Sequence, residues 1–411
     1  MANERPGGRP FHLAMYSGIV VRADAISGSV RSKLDVIRDL ERAGFPLRVT
    51  VFTHASDTPE PEIVCVGSAG DLVTCPPFRD ADAHLFEFGI RYDLFDAVFL
   101  IPPGQPIAAV YHNITPAALV DPEQRPAIER SLIQKHNLSR VDRVACVSEF
   151  DRDDLLAFGI PAERLTVLHL PPAVTAPAAA VPAGEIVEFL YVGRLVPAKG
   201  VLDLARAVAD MRRHGVDGFR VTLAGNEVFS SQDCMAEVRR LIADHSLEAF
   251  LRVVPSPDDR QLGVLYAESD ALVLPSYHEG YCLPVIEALS AGCYVIGYDT
   301  TNLPNVIGGL GTLVAPGDVA GLSAAMAGLI SEVARAGHDR DALRLPLGPG
   351  AMPMASWRRA VAEHLRGYSL DAFRRGFVEL LGWMAARSPR GGELAGALGV
   401  AAAPPVGASL P

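Results

Sequence analysis

The sequence contains no CxxC pair, no Cys/His cluster, no GxGxxG loop after a strand, and only short, punctuated apolar segments. Each absence removes a class of protein. The cysteines at 65, 75, 146, 234, 282 and 293 lack paired spacing, so they read as reduced, mostly structural thiols in a cytosolic setting, and no metal site is expected. Met1 to Pro10 carries charges and glycines in place of an apolar core, so neither a signal peptide nor a spanning helix is expected. Peripheral attachment at the inner face of a membrane stays open. Nicotinamide-dinucleotide binding loses its usual fingerprint. A formal charge of −11 counts against nonspecific nucleic-acid binding, although a local basic groove for a phosphorylated ligand is compatible with it.

What is present fills two domains. The chain has 411 residues, of which 49% are hydrophobic and 21% charged, too much for one ordinary core. The first half alternates expected strands at Leu13 to Tyr16, Leu47 to Phe52, Ile107 to Tyr111, Val144 to Val147 and Leu165 to Leu168 with helices at Ser27 to Ala43, Glu123 to His136 and Glu149 to Phe158. Such alternation specifies a parallel sheet covered on both faces. Pro171 to Gly184 is rich in proline and alanine and reads as a linker. A second strand-helix series runs from Val187 to about Val333. Gly337 to Pro353 is expected to be irregular, followed by helices at Trp357 to Leu365 and from Ser369 through Met384. The resulting division is 1–174 and 186–352 for two α/β domains, 175–185 for the linker, 353–388 for C-terminal helices returning to the first domain, and 389–411 for a poorly ordered tail.

The sharpest segment is HEGYCLPVIEALSAG, His278 to Gly292, directly after the apolar run ALVLP. Its turn therefore belongs at the carboxyl end of a strand, the edge where open sheets bind ligands. Glu279 falls on the loop and Glu287 inside the helix, so the two carboxylates can address different parts of one ligand. Glu287 suits a ribose diol, and Glu279 suits the transferred sugar. The amides of Gly280, Tyr281, Cys282 and Leu283 suit phosphate oxygens at a helix start. Two glutamates at this spacing also arise by chance, with Glu287 simply facing solvent. FLYVGRLVPAKG, Phe189 to Gly200, ends a strand at Gly193 and brackets a short loop with Arg194 and Lys199. Two cations there would stabilise a departing diphosphate without a metal. The plainer reading is an exposed pair opening a surface helix.

VYHNITP sets His112 just beyond a strand, where its ring can meet a sugar hydroxyl and Asn113 can shape the turn. A lone histidine more often has a structural role. In DAISGSVRSK, Gly28 permits close backbone approach, Asp24 can take an acceptor hydroxyl, and Arg31 or Lys33 can take donor phosphate. LAGNE, Leu223 to Glu227, is a further strand-end loop with no catalytic role assigned.

Together these motifs resemble a retaining glycosyltransferase of family 4 with the GT-B fold, over residues 11 to 380 and most specifically Leu190 to Gly317. The family's two-glutamate motif falls on Glu279 and Glu287, its phosphate-binding arginine and lysine on Arg194 and Lys199, its strand-end histidine on His112, and its glycine loop on Gly28. Two positions depart from the pattern: Cys282 replaces the usual small residue after the aromatic, and Asn305 stands where an acidic residue is common after LP. The resemblance implies two Rossmann-like domains facing across a cleft, with acceptor in the first and nucleotide sugar in the second. It implies a UDP- or GDP-linked hexose as donor, no tightly bound cofactor, and a hydroxyl-bearing acceptor such as a glycan, a lipid-linked sugar or a small metabolite. The alternatives are an epimerase on the same scaffold and a non-catalytic nucleotide-sugar-binding protein, with a nicotinamide oxidoreductase ranked below both. Nucleotide, sugar, acceptor and oligomeric state are not specified by the sequence.

Overall fold

The computed structural model describes residues 9–22, 24–172, 185–226, 230–347 and 350–401. The linker expected over 175–185 lies outside them except for Glu185, and so do Glu227 of LAGNE and residues 402–411 of the tail. The chain divides into two compact units, one formed by Met1–Ile114, Pro126–Pro171 and Leu370–Pro411, the other by Thr115–Arg125 and Pro172–Ser369. No helix among the described residues is long and apolar enough to cross a membrane.

In the first unit seven strands lie side by side in the order Ile63–Cys65, Leu47–Thr53, Phe11–Tyr16, Ala83–Phe88, Ile107–Tyr111, Arg143–Cys146 and Leu165–Val167. Every pair is parallel. In the second unit the order is Leu251–Pro255, Phe219–Gly225, Val187–Val192, Ala271–Leu274, Tyr294–Tyr298 and Thr312–Val314, again all parallel. Both sheets thus follow the doubly wound order, in which the third, second and first strands of a unit precede its fourth and fifth. The order reverses between the first and fourth strands, and that reversal opens a crevice at their carboxyl ends.

Local chemistry explains most element ends. Asp24 caps the helix Ala25–Arg42 by accepting from the Ser27 amide, and Ser148 caps Glu149–Phe158, which stops at Gly159 with φ 101°. The strand Ala83–Phe88 was not among the expected ones. His84 and Glu87 interrupt its apolar run, yet all six residues are buried. Two further expectations are corrected. The segment read as irregular before Pro353 forms an antiparallel pair, Arg344–Leu347 with Gly350–Pro353. The tail read as poorly ordered from 389 contains the helix Gly392–Ala397, with Leu394 and Ala395 buried. Gly391 allows that return, because a Cβ there would lie 2.0 Å from the Ala385 carbonyl oxygen.

The C-terminal helix Leu370–Arg387 belongs to the first unit, where Arg374 donates to Asp39 at 2.6 Å and the Arg143 guanidinium stacks 4.8 Å from the Trp383 ring. The preceding helix, Met354–His364, belongs to the second, where the buried Trp357 indole donates to the Leu310 carbonyl at 2.8 Å. The division therefore falls at Ser369, some way past the boundary expected at 353.

Candidate functional site

The second unit gathers most of the expected residues at its reversal point. From the strand Val187–Val192 the chain passes through Gly193 and Arg194 to the single turn Pro197–Lys199 and the helix Val201–Arg213. From Ala271–Leu274 it passes through Pro275 to Cys282 and into the helix Leu283–Ala291. The two loops are locked together. Gly200 has φ 64°, and a Cβ on it would lie 1.8 Å from the Pro275 carbonyl oxygen, so only glycine fits. The Tyr277 amide donates to the Ala198 carbonyl at 2.9 Å. Asp203, buried in the first turn of its helix, accepts the hydroxyls of Tyr277 at 2.6 Å and Tyr298 at 3.0 Å. Burial and that carboxylate push the Tyr277 hydroxyl up to about 12, so it remains a donor.

Within this frame the Lys199 ammonium lies 2.7 Å from Glu279 Oε2, and the Glu279 side chain is only 9% exposed. The turn that carries Glu279 is fastened from the loop before Leu303. The Glu279 amide donates to Thr301 Oγ1 at 2.9 Å, and Asn302 Nδ2 donates to the Tyr281 carbonyl at 2.9 Å. Asn305, the departure noted above, donates to Asn302 Oδ1 at 3.3 Å and so orients that fastener. Arg194 is exposed, and among the described residues its guanidinium joins no ion pair. Its carbonyl accepts the Tyr191 hydroxyl at 2.8 Å, which sets the turn.

Glu287 is buried inside its helix, not solvent-facing, and accepts the Tyr266 hydroxyl at 2.9 Å. Cys282 is the helix N-cap with φ 75° and ψ 64°, a left-handed conformation that explains the preference for a small residue there. Its buried thiol is pushed well up by desolvation. The helix start has no side-chain cap. Gly193 donates to the Ala224 carbonyl at 3.0 Å, and Gly225 of LAGNE must be glycine because a Cβ would lie 2.9 Å from the Gly193 oxygen.

In the first unit, His112 follows the strand Ile107–Tyr111 directly, and its Nε2 lies 2.6 Å from Glu87 Oε2. Lys33, read from sequence as a phosphate ligand, is instead fully buried with its ammonium 2.8 Å from Glu87 Oε1. Burial would raise the Glu87 carboxyl, but Lys33 and His112 outweigh it and hold the group below its ordinary value. Burial pulls the Lys33 ammonium down against the opposing pull of Glu87. Asn113 takes φ 67° and donates to Asp151 Oδ1 at 2.7 Å, fixing the turn.

Gly28 sits in the first helical turn, not in a loop, with nothing within 4 Å of a Cβ position. Asp24 accepts from the Ser27 amide at 2.8 Å and hydroxyl at 2.6 Å, so its carboxylate serves as a cap. Arg31 ties the Val21 carbonyl at 2.9 Å. A pocket of about 390 Å³ opens at this reversal point, lined in part by Asp24, Ile26, Glu87, Gly89, Ile90 and Tyr92.

Sequence reading missed Glu87, Tyr266, Asp203 and Asn302. Only Glu87 left a signal, as a carboxylate in an apolar run ending at a strand's carboxyl edge. Among the described residues no group of three or more His, Cys, Asp or Glu is placed to hold a metal ion.

Comparison with known proteins bears on both units. Residues 26–171 match Glycosyltransferase Family 4, and residues 180–338 match the glycosyl transferases group 1. The O-antigen chain mannosyltransferase B of Escherichia coli is 27% identical over 230 residues, 52% of this chain and 58% of that protein. The chain thus spans under two thirds of that relative's length. Sucrose-phosphate synthase from Thermosynechococcus elongatus superposes with a TM-score of 0.68 at 20% identity, covering 92% of this chain and 100% of the other. Anabaena HepE in complex with UDP and glucose gives a TM-score of 0.63 at 16% identity, covering 91% of this chain and 100% of that one. Two doubly wound parallel sheets and two adjoining family matches lead to one assignment: the chain belongs to glycosyltransferase family 4 and has the GT-B fold.

Proposed function

We propose that the chain is a retaining hexosyltransferase that moves a hexosyl group from a nucleoside diphosphate to an acceptor hydroxyl. The observation that carries this reading is the clustering of Arg194, Lys199, Glu279 and an uncapped helix start at one reversal point, with Lys199 and Glu279 2.7 Å apart. Departure of the diphosphate places growing negative charge on oxygens that Arg194, Lys199 and the amides from Gly280 to Leu283 can receive, without assistance from a metal. Arg194 offers two parallel donors and Lys199 a point charge. Glu279, drawn to Lys199, stabilises positive character on the sugar ring. Glu287, held by Tyr266, accepts the ribose diol.

The acceptor hydroxyl occupies the first unit's pocket, and His112 meets a sugar hydroxyl. In the step itself the bond from the anomeric carbon to the diphosphate oxygen breaks. The acceptor oxygen bonds to the same face, and its proton passes to the leaving phosphate oxygen. The product keeps the donor's anomeric configuration. Peripheral contact with a membrane-bound acceptor remains compatible with this scheme.

The UDP and glucose held by the Anabaena neighbour make UDP-glucose the first donor to try, followed by GDP-linked hexoses. The test is a donor-by-acceptor panel read by product mass and by NMR of the new linkage. Nucleotide release coupled to acceptor glycosylation with retained configuration supports the proposal. Isomerised donor, or donor binding without acceptor-dependent turnover, rejects it.

A further inference from the structure

We infer that Glu87 is a positioning residue for transfer: it holds the His112 imidazole with its proton on Nε2, so that Nδ1 accepts a hydrogen bond from a substrate hydroxyl. This rests on the function proposed above.

Glu87 is held as a carboxylate by the groups around it. Its carboxylate is 0% exposed and receives Lys33 at 2.8 Å on one oxygen, with His112 Nε2 at 2.6 Å on the other. The Ser29 hydroxyl adds a donor at 3.2 Å. A buried carboxylate stays ionised only with such compensation, and once ionised it can only accept. The short contact to Nε2 therefore requires the proton on that nitrogen. In the neutral ring the lone pair is then left on Nδ1.

The ring is also held in place sterically. The His112 amide donates to the Phe88 carbonyl at 2.8 Å. Gly89 lies so close that a Cβ there would sit 3.0 Å from the His112 Cβ and 3.0 Å from Ile26 Cδ1. Two other buried histidines show what a structural role looks like. His84 engages Tyr16 through Nδ1 at 2.8 Å and Gln105 through Nε2 at 2.9 Å. His12 likewise engages Thr50 at 2.9 Å and Arg48 at 3.2 Å. Among the described residues His112 uses Nε2 alone, although its side chain is only 6% exposed. One nitrogen is fixed by the protein and the other is kept for a partner that the unit does not supply. Lys33 acts one step further back, keeping Glu87 ionised.

The test is nitrogen-15 NMR of the full chain labelled at histidine, with the His112 signals assigned by His112→Asn. In the neutral ring the Nε2-protonated tautomer is expected. The Nδ1-protonated tautomer overturns the inference. Glu87→Gln removes the obligatory acceptor and should lower kcat by about 10- to 100-fold, the range seen when a metal-bound histidine loses its orienting partner, with donor KM little changed. Because Glu87→Gln leaves Lys33 buried beside a neutral group, the double variant Lys33→Met/Glu87→Gln provides a charge-free control with the same expected loss. Unaltered kcat in either folded variant overturns the inference. If wild type transfers no sugar from any donor, the proposed function fails, while the tautomer result still decides the geometry of Glu87 and His112.

Discussion

The Lys199 ammonium lies 2.7 Å from Glu279 Oε2, so a cation suited to phosphate and a carboxylate suited to the sugar are joined before a ligand arrives. Under the proposed function an incoming diphosphate shares Lys199 with Glu279, and the two variants should therefore differ in kind. Glu279→Gln frees the ammonium: UDP or GDP binding should hold or tighten while kcat falls about 100-fold. Lys199→Met removes a phosphate contact and should weaken nucleotide binding about tenfold, or ~1.4 kcal/mol. Calorimetry with each nucleotide beside steady-state kinetics separates the two. Equal loss of affinity in both variants would contradict the arrangement.

Gly200 ties the two loops of the same site at their closest approach. Its φ of 64° disfavours any side chain, and the 1.8 Å between a Cβ and the Pro275 oxygen forces the backbones apart. Gly200→Ala should destabilise the fold by about 3 kcal/mol or more and raise donor KM, because Lys199 moves with the loop. Thermal unfolding and donor kinetics check both effects. A fully stable variant would show that the loops are not locked at this point.

The second unit was legible because its chemistry is local. VGR closes a strand, PAKG opens the helix that follows it, and EGYCLP leads from the next loop into its helix, so period and motif agree there. The first unit was harder to read because its site is assembled from distant residues. Glu87, Lys33 and His112 come from three elements, and nothing in the spacing of Lys33 marks it as buried. The strand Ala83–Phe88 was missed for the same reason, since His84 and Glu87 look like surface residues until their partners are placed. Helix starts such as Glu149 were clear because Ser148 caps its own chain.

Tyr266 was not foreseen, and its hydroxyl gives the first test of Glu287. Tyr266→Phe removes one hydrogen bond to Glu287, expected to cost about 1 kcal/mol of stability. Donor KM should rise severalfold with kcat little changed, since the proposed ribose contact would be made alike in the ground and transition states. A fall in kcat at constant KM would assign Glu287 to the reacting centre instead.

Cys282 carries a Cβ in the left-handed region at the start of the helix that follows Glu279. That conformation costs an ordinary residue about 1–2 kcal/mol, part of which the buried thiol regains through packing. Cys282→Gly should therefore raise the unfolding temperature slightly and leave donor KM near its wild-type value. In the folded wild type, burial should keep the thiol unreactive toward alkylating reagents until denaturant is added. Rapid labelling of the native protein at Cys282 would refute the packing described.

His84 gives stability a pH dependence separable from catalysis. Burial lowers its imidazole from 6.5 to about 4, and the Gln105 hydrogen bond offsets only part of that. Between those values the unfolded chain binds a proton that the folded one excludes, so its contribution is fully present above pH 6.5 and is lost as pH falls toward 4. His12, also lowered to about 4 by burial, acts in the same direction. Asp151 opposes them, because burial raises its carboxyl and lets the folded chain take up a proton first. Comparison with His84→Gln cancels both of those groups, since the amide can still meet Tyr16 and Gln105 without titrating. Urea midpoints at pH 7 and pH 4.5 should fall further in wild type than in the variant. Parallel losses would show that His84 already carries its proton in the fold.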